Sequence, residues 1–124
     1  MKYKKTIGCV CAVLLSVFLY WQDNGLMTTK MTYAGDIPKA FDGCKILHVS
    51  DLQNKIFGRN QKPLLKKIRT SAPDIIVFTG DLLDRHQNRT DVDSAMEFIH
   101  EIVKIAPVYF VSGNHEHRSG EWDV

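Results

Sequence analysis

Three short phrases in this chain hold the residue types that do chemistry: Asp51-Leu52-Gln53, Gly80-Asp81-Leu82-Leu83-Asp84 and Gly113-Asn114-His115-Glu116. Each directly follows an apolar run, at residues 45–50, 74–79 and 107–112, that reads as a buried strand. Open α/β sheets place their ligand sites at one end of the strands. Here every such end delivers carboxylates, an amide or an imidazole, the ligand set of a metal site suited to phosphate esters. Hydrolysis of such an ester needs a hydroxide at neutral pH and cover for charge developing on oxygen. Two divalent ions about 3.5–4 Å apart supply both. A carboxylate suits the bridging position, because one anionic group can neutralise part of two cations.

The three phrases resemble the first three motifs of the calcineurin-like metallophosphoesterases, D-x-H, G-D-x-x-D and G-N-H-[DE], in their bacterial branch with an N-terminal membrane segment. The resemblance covers residues 41–116. The second and third motifs match in full, while Gln53 stands where the family has histidine. It implies a calcineurin-like α/β sandwich, of which this chain would hold the N-terminal β-α-β-α-β portion. It also implies hydrolysis of a phosphoester by a metal-activated hydroxide at a binuclear site. Asp51 and Gln53 would serve the first metal, Asp81 would bridge both, and Asn114 would bind the second through its amide oxygen. His115 would contact phosphate and help protonate the leaving group, with Asp84 orienting its ring. Gly80 and Gly113 would permit the sharp turn out of each strand. The cofactors implied are two divalent ions from among Mn²⁺, Fe²⁺, Zn²⁺ and Mg²⁺.

Each residue also has a plainer reading. An Asp after a strand is often a turn or helix-capping residue, and Asn-His after Gly can be an ordinary turn. The weight lies in three phrases occurring together, in family order, each at a strand end. Asn54, Lys55, Phe57 and Gly58 are expected either to line the site mouth or to form a loop leading into a helix. Glu116 is expected to complete the third motif and His117 to be a loop residue. His48 reads as structural, and His86 and His100 as surface residues.

The elements that must position these phrases follow from hydropathy spacing. Residues 61–71 carry Leu64, Leu65 and Ile68 at helical spacing, with Pro63 in the first turn. Residues 92–105 repeat the pattern through Ala95, Met96, Ile99, Ile102 and Val103, with Thr90 or Asp91 as N-cap. The order β-α-β-α-β predicts parallel strands. Upstream, 41–43 read as a turn, 31–35 as a short strand ended at Pro38, and 22–30 as a polar linker.

The first residues differ in kind. Residues 7–21 form a mostly apolar run behind Lys2, Lys4 and Lys5, closed by Tyr20 and Trp21. This pattern favours an uncleaved signal anchor over 1–24, ahead of a cleaved signal or a buried helix of the domain, followed by a linker and short strand at 25–40 and the catalytic portion at 41–124. The lysines would stay cytoplasmic, giving a single-pass cell-membrane protein with its domain on the extracytoplasmic side. Cys9, Cys11 and Cys44 form no disulfide framework. A net charge of +2, mostly from the N-terminal lysines, leaves no basic stripe for nucleic acid.

The partners expected are thus a phosphoester substrate and a membrane. The family's later histidine motifs do not occur in the 124 residues, and three strands leave one sheet face without a partner. The chain is therefore expected to be the N-terminal part of a longer enzyme. The alternative, prompted by Gln53 and the missing histidines, is a catalytically inactive membrane-anchored remnant or binding module that keeps the fold.

Overall fold

The computed structural model describes residues 2–84 and 89–119. It opens with a long helix, α1 (Lys2–Asn24). Then follow β1 (Ile46–Val49), α2 (Lys62–Ser71), β2 (Ile75–Phe78), α3 (Arg89–Ile102), β3 (Val108–Phe110) and α4 (Asn114–Ser119). The three strands form one parallel sheet in the order β1-β2-β3, with Ile46 opposite Ile75 and Ile76 opposite Val108. The mixed α/β architecture expected from the sequence is the one observed.

The first two strands are clipped together where they start. Asp74 Oδ2 accepts from the Lys45 N–H at 2.7 Å, and the Asp74 N–H donates to the Lys45 carbonyl at 2.9 Å. The first two strands therefore begin level, and their far ends emerge level too. α2 starts with Pro63 in its first turn and ends at Ala72 in the left-handed region, just before Pro73. Its Leu64, Leu65 and Ile68 are buried against the sheet residues Ile76 and Phe78 and against Ala95, Phe98 and Ile102 of α3. The Phe98 ring meets Phe78 edge-on, with centroids 6.5 Å apart. On the surface, Glu101 of α3 pairs with Arg69 of α2 at 2.9 Å and with Lys104 at 2.5 Å.

Both connecting helices lie over one face of the sheet. The opposite face leaves Ile46, Tyr109 and Val111 more than half exposed. It also carries His48, whose Nε2 lies 2.7 Å from Thr79 Oγ1, the structural role expected of it.

Several expectations need correction. Residues 31–35 form no strand: Met31 and Tyr33 stand exposed, and no sheet edge pairs with them. The turn at 41–43 is the exit of a short 3-10 turn, Lys39–Phe41. The helix expected over 92–105 runs instead from Arg89 to Ile102, so Asp91 lies inside its first turn, where a carboxylate complements the helix dipole. Residues 114–119 are helical rather than loop, so His117 lies on a helix, with its Nε2 3.0 Å from Ser112 Oγ. His100 is exposed on α3, as expected, and His86 lies outside the described residues.

Because Phe98 is 2% exposed and joins both helices to the sheet, Phe98→Ala is expected to cost about 3–5 kcal/mol. Denaturant unfolding of the detergent-solubilised chain measures this, and a loss below about 1 kcal/mol would show that the core is not organised around this ring.

Candidate active site

The three phrases meet at the C-terminal ends of the strands. The backbone that brings them there is unusual. Asp51, Gln53, Asn54 and Asp81 all have left-handed φ, between 45° and 62°, a region sparsely used by residues with side chains. Such conformations persist only where the surroundings over-determine them, and here the surroundings are hydrogen bonds between loops. The N–H groups of Asp51, Gln53 and Asn54 donate to the carbonyls of Gly80, Asp81 and Leu82 at 3.2, 2.9 and 3.2 Å. The first phrase is thus laced to the second beyond the point where the strands end.

The other side of the second phrase is held by Glu116, which is 1% exposed. Its Oε2 accepts from the N–H of Asp81 at 2.8 Å and of Gly113 at 2.7 Å. Its Oε1 accepts from Leu82 at 2.7 Å and Leu83 at 3.3 Å. Burial pushes this carboxyl up, but the backbone donors of Asp81, Gly113, Leu83 and Leu82 together outweigh it and leave it below the ordinary 4.5. The Gly113 contact has capping-box geometry, a Glu three residues into a helix reaching back to the residue before it. That spacing was the sequence signal for Glu116, a residue otherwise read only as the end of a motif.

Asp81 is 8% exposed. Its Oδ1 accepts from the His115 N–H at 3.0 Å. Asp84 Oδ1 lies 3.0 Å from His115 Nδ1. A carboxylate only accepts, so Nδ1 carries the hydrogen and donates it, leaving Nε2 as the second functional atom of the ring. The Asp84 N–H donates to Asn54 Oδ1 at 3.0 Å. Asn54 is therefore a latch between the first two phrases. Lys55 pairs with Asp23 at 2.8 Å, Phe57 turns into the core, and Gly58 precedes a second 3-10 turn. Of these four residues, none but Asn54 touches the candidate site residues through a hydrogen bond among the described residues.

The glycines are required sterically. A Cβ on Gly80, whose φ is +87°, would overlap the Gly113 backbone and come within 2.7 Å of the Ser112 carbonyl carbon. A Cβ on Gly113 would collide with the Asp81 carboxylate.

Among the described residues, no three His, Cys, Asp or Glu side chains gather as a ready metal cluster. The expected ligand set pairs two carboxylates with two amides, so its fit to a metal rests on Asp81. The Oδ2 of this buried carboxylate has no hydrogen-bond partner among the described residues. A carboxylate oxygen without a donor in a buried residue leaves a position open to a cation. With Asn114 and Gln53 as amide oxygens, the donors suit hard divalent ions such as Mn²⁺ or Mg²⁺. Asp51, Gln53 and Asn114 are exposed at the mouth, and Ser50 Oγ donates to Asp51 Oδ2 at 2.5 Å.

The sequence model of the calcineurin-like phosphoesterase family matches residues 44–124. The chain belongs to that family. It is 30% identical over 101 residues to the uncharacterized metallophosphoesterase YkuE of Bacillus subtilis, a match covering 79% of this chain and 35% of YkuE. It is 32% identical over 89 residues to the putative phosphoesterase 244L of Invertebrate iridescent virus 6, covering 64% and 30%. It is 27% identical over 116 residues to the uncharacterized metallophosphoesterase Cj0846 of Campylobacter jejuni, covering 87% and 30%. The chain thus spans about a third of the length of these curated relatives. No solved structure matches it.

Two outcomes are expected here. Gly80→Ala should destabilise the chain by about 2 kcal/mol or more, from left-handed strain plus overlap; an unchanged thermal midpoint would contradict the packing described. The Glu116 carboxyl, lowered in the folded state, stabilises fully above about pH 4.5. That contribution is lost as pH falls through the lower folded value. A urea midpoint that does not fall below pH 4 more steeply in wild type than in Glu116→Gln would count against it.

Proposed function

We propose that this chain carries the N-terminal half-site of a metal-dependent phosphoesterase. The observation that carries the reading is the buried Asp81 carboxylate, whose Oδ2 lacks a donor among the described residues at the meeting point of three strand ends. Asp51, Gln53, Asp81 and Asn114 would hold two divalent ions. When bound, these ions would supply a nucleophile at neutral pH and neutralise charge on the phosphoryl oxygens. Asp84 fixes the His115 tautomer by accepting from Nδ1, so Nε2 is the ring atom for the phosphoryl or leaving-group oxygen. The Asp81–His115 backbone bond keeps the bridging carboxylate and this imidazole in fixed relation. Phosphodiesters and pyrophosphate-linked lipids or nucleotides are the substrate classes proposed.

In the complete gene product, hydrolysis of a chromogenic phosphodiester in Mn²⁺ is expected, with a loss of about 100-fold or more in Asp81→Asn and about 10–100-fold in Asp84→Asn. Absence of turnover with Mn²⁺, Fe²⁺, Zn²⁺ and Mg²⁺ alike would sink the reading. Gln53 favours a second reading, a remnant that binds without turning over, because a neutral amide replaces an imidazole donor. Gln53→His separates the two: a large gain in turnover marks the substitution as limiting in an enzyme, and no change means that Gln53 is tolerated or that another defect dominates.

α1 is the one helix among the described residues that is long and apolar enough to cross a membrane. Its 22-residue candidate span extends about 33 Å at 1.5 Å per residue, enough for the hydrocarbon core. We read it as a single-pass cell-membrane anchor with the domain outside. Asp23 at its end pairs with Lys55, two residues beyond Gln53, and Leu26 packs against the core. The site mouth would then lie near the headgroups. Retention of the full chain in the membrane pellet after carbonate washing is expected, and its release would remove the anchor from the account.

A further inference from the structure

We propose that Glu116 is a positioning residue that sets the candidate metal-ligand loops in their binding geometry before any ion arrives. This inference rests on the metal reading above and adds a residue that would touch neither metal nor substrate.

Four main-chain N–H groups among the described residues donate to Glu116, three consecutive ones in the second phrase and one in the third. Oε2 alone spans the two phrases, through Asp81 and through Gly113, the neighbour of Asn114. The bridging carboxylate and the second-metal amide are thereby referred to one atom. The carbonyls of Gly80, Asp81 and Leu82 then receive the first phrase, so Asp51 and Gln53 inherit the same placement. Asp81 holds a left-handed φ of 51°, and its own N–H bond to Glu116 is part of what over-determines that conformation.

An anion is needed for this task. Two oxygens offer about four acceptor sites and match four converging donors. A glutamine offers one oxygen and turns an amide N–H₂ toward N–H groups that also donate. At 1% exposure, no bulk water replaces the lost acceptor. Removing the charge should therefore unfasten the loops without touching the helices and sheet.

The test uses the full chain in detergent, with Mn²⁺ as probe and two readouts: calorimetric Mn²⁺ affinity, and hydrogen exchange of the Asp81, Leu82, Leu83 and Gly113 amides in metal-free protein. In Glu116→Gln, the four amides are expected to exchange at least about tenfold faster, and Mn²⁺ affinity to fall about 10–100-fold. Exchange at Phe98 and Ile102 should stay unchanged. Glu116→Asp, which keeps the anion on a shorter arm, should fall between wild type and Glu116→Gln in both readouts. A folded Glu116→Gln with unchanged protection and unchanged affinity would overturn the proposal. If Glu116→Gln does not fold, Glu116→Asp decides: faster exchange and weaker binding uphold the proposal, and values equal to wild type overturn it. The two possible failures separate. A wild type that binds no Mn²⁺, with four amides that open in the variant, defeats the metal reading and upholds the positioning. Equal Mn²⁺ affinity in wild type and variant defeats the positioning and upholds the metal reading.

Discussion

The Glu116 carboxylate accepts from the main chain of Asp81, Leu82, Leu83 and Gly113, and the loop after β1 is laced to the carbonyls on the other side of the same segment. Backbone beyond the end of a sheet has lost its ladder partners, yet its N–H and C=O groups still require them. Here the missing ladder is replaced by one buried anion and one neighbouring loop. The left-handed conformations of Asp51, Gln53, Asn54 and Asp81 are tolerated because these bonds hold them. Asp81 is held by Glu116 directly, Gln53 through its bond to the Asp81 carbonyl, and Asn114 and Asp51 sit beside or against the neighbouring residues Gly113 and Gly80.

The scaffold beneath is simple. β1 and β2 begin level because Asp74 clips β2 to Lys45, β3 pairs in parallel beside β2, and the strand ends deliver the three phrases side by side. Two amphipathic helices bury one face through Leu65, Ile68, Phe98 and Ile102. The other face keeps Ile46, Tyr109 and Val111 exposed, whereas parallel sheets are ordinarily covered on both sides. The family match from residue 44 onward, over about a third of the relatives' length, accords with a half-covered sheet that still builds its site edge.

Much of this was legible in the residues themselves. The apolar runs located all three strands, and the spacing of Leu64, Leu65 and Ile68 located α2, because burial on one face imposes a period that sequence displays. The start of α3 was misplaced by three residues because Arg89 carries no hydropathy signal. Residues 31–35 were apolar enough to suggest a strand, but a strand exists only where an edge accepts it, and that is a tertiary fact. The Asp84–His115 pairing followed from the resemblance. The role of Glu116 did not: its spacing from Gly113 signals only the local cap, and no sequence pattern points to the main-chain donors of Asp81, Leu82 and Leu83 more than thirty residues away. The same holds for Asn54, whose amide meets the Asp84 N–H thirty residues away.

The central claim is that these strand ends hold metal through Asp81 and its neighbours, and anomalous diffraction from Mn²⁺-soaked crystals of the full chain tests it most directly. The account predicts two peaks about 3.5–4 Å apart on either side of the Asp81 carboxylate, one reached by Asn114 and the other by Asp51. Peaks absent from this edge of the sheet, or bound only at the surface elsewhere, would contradict it.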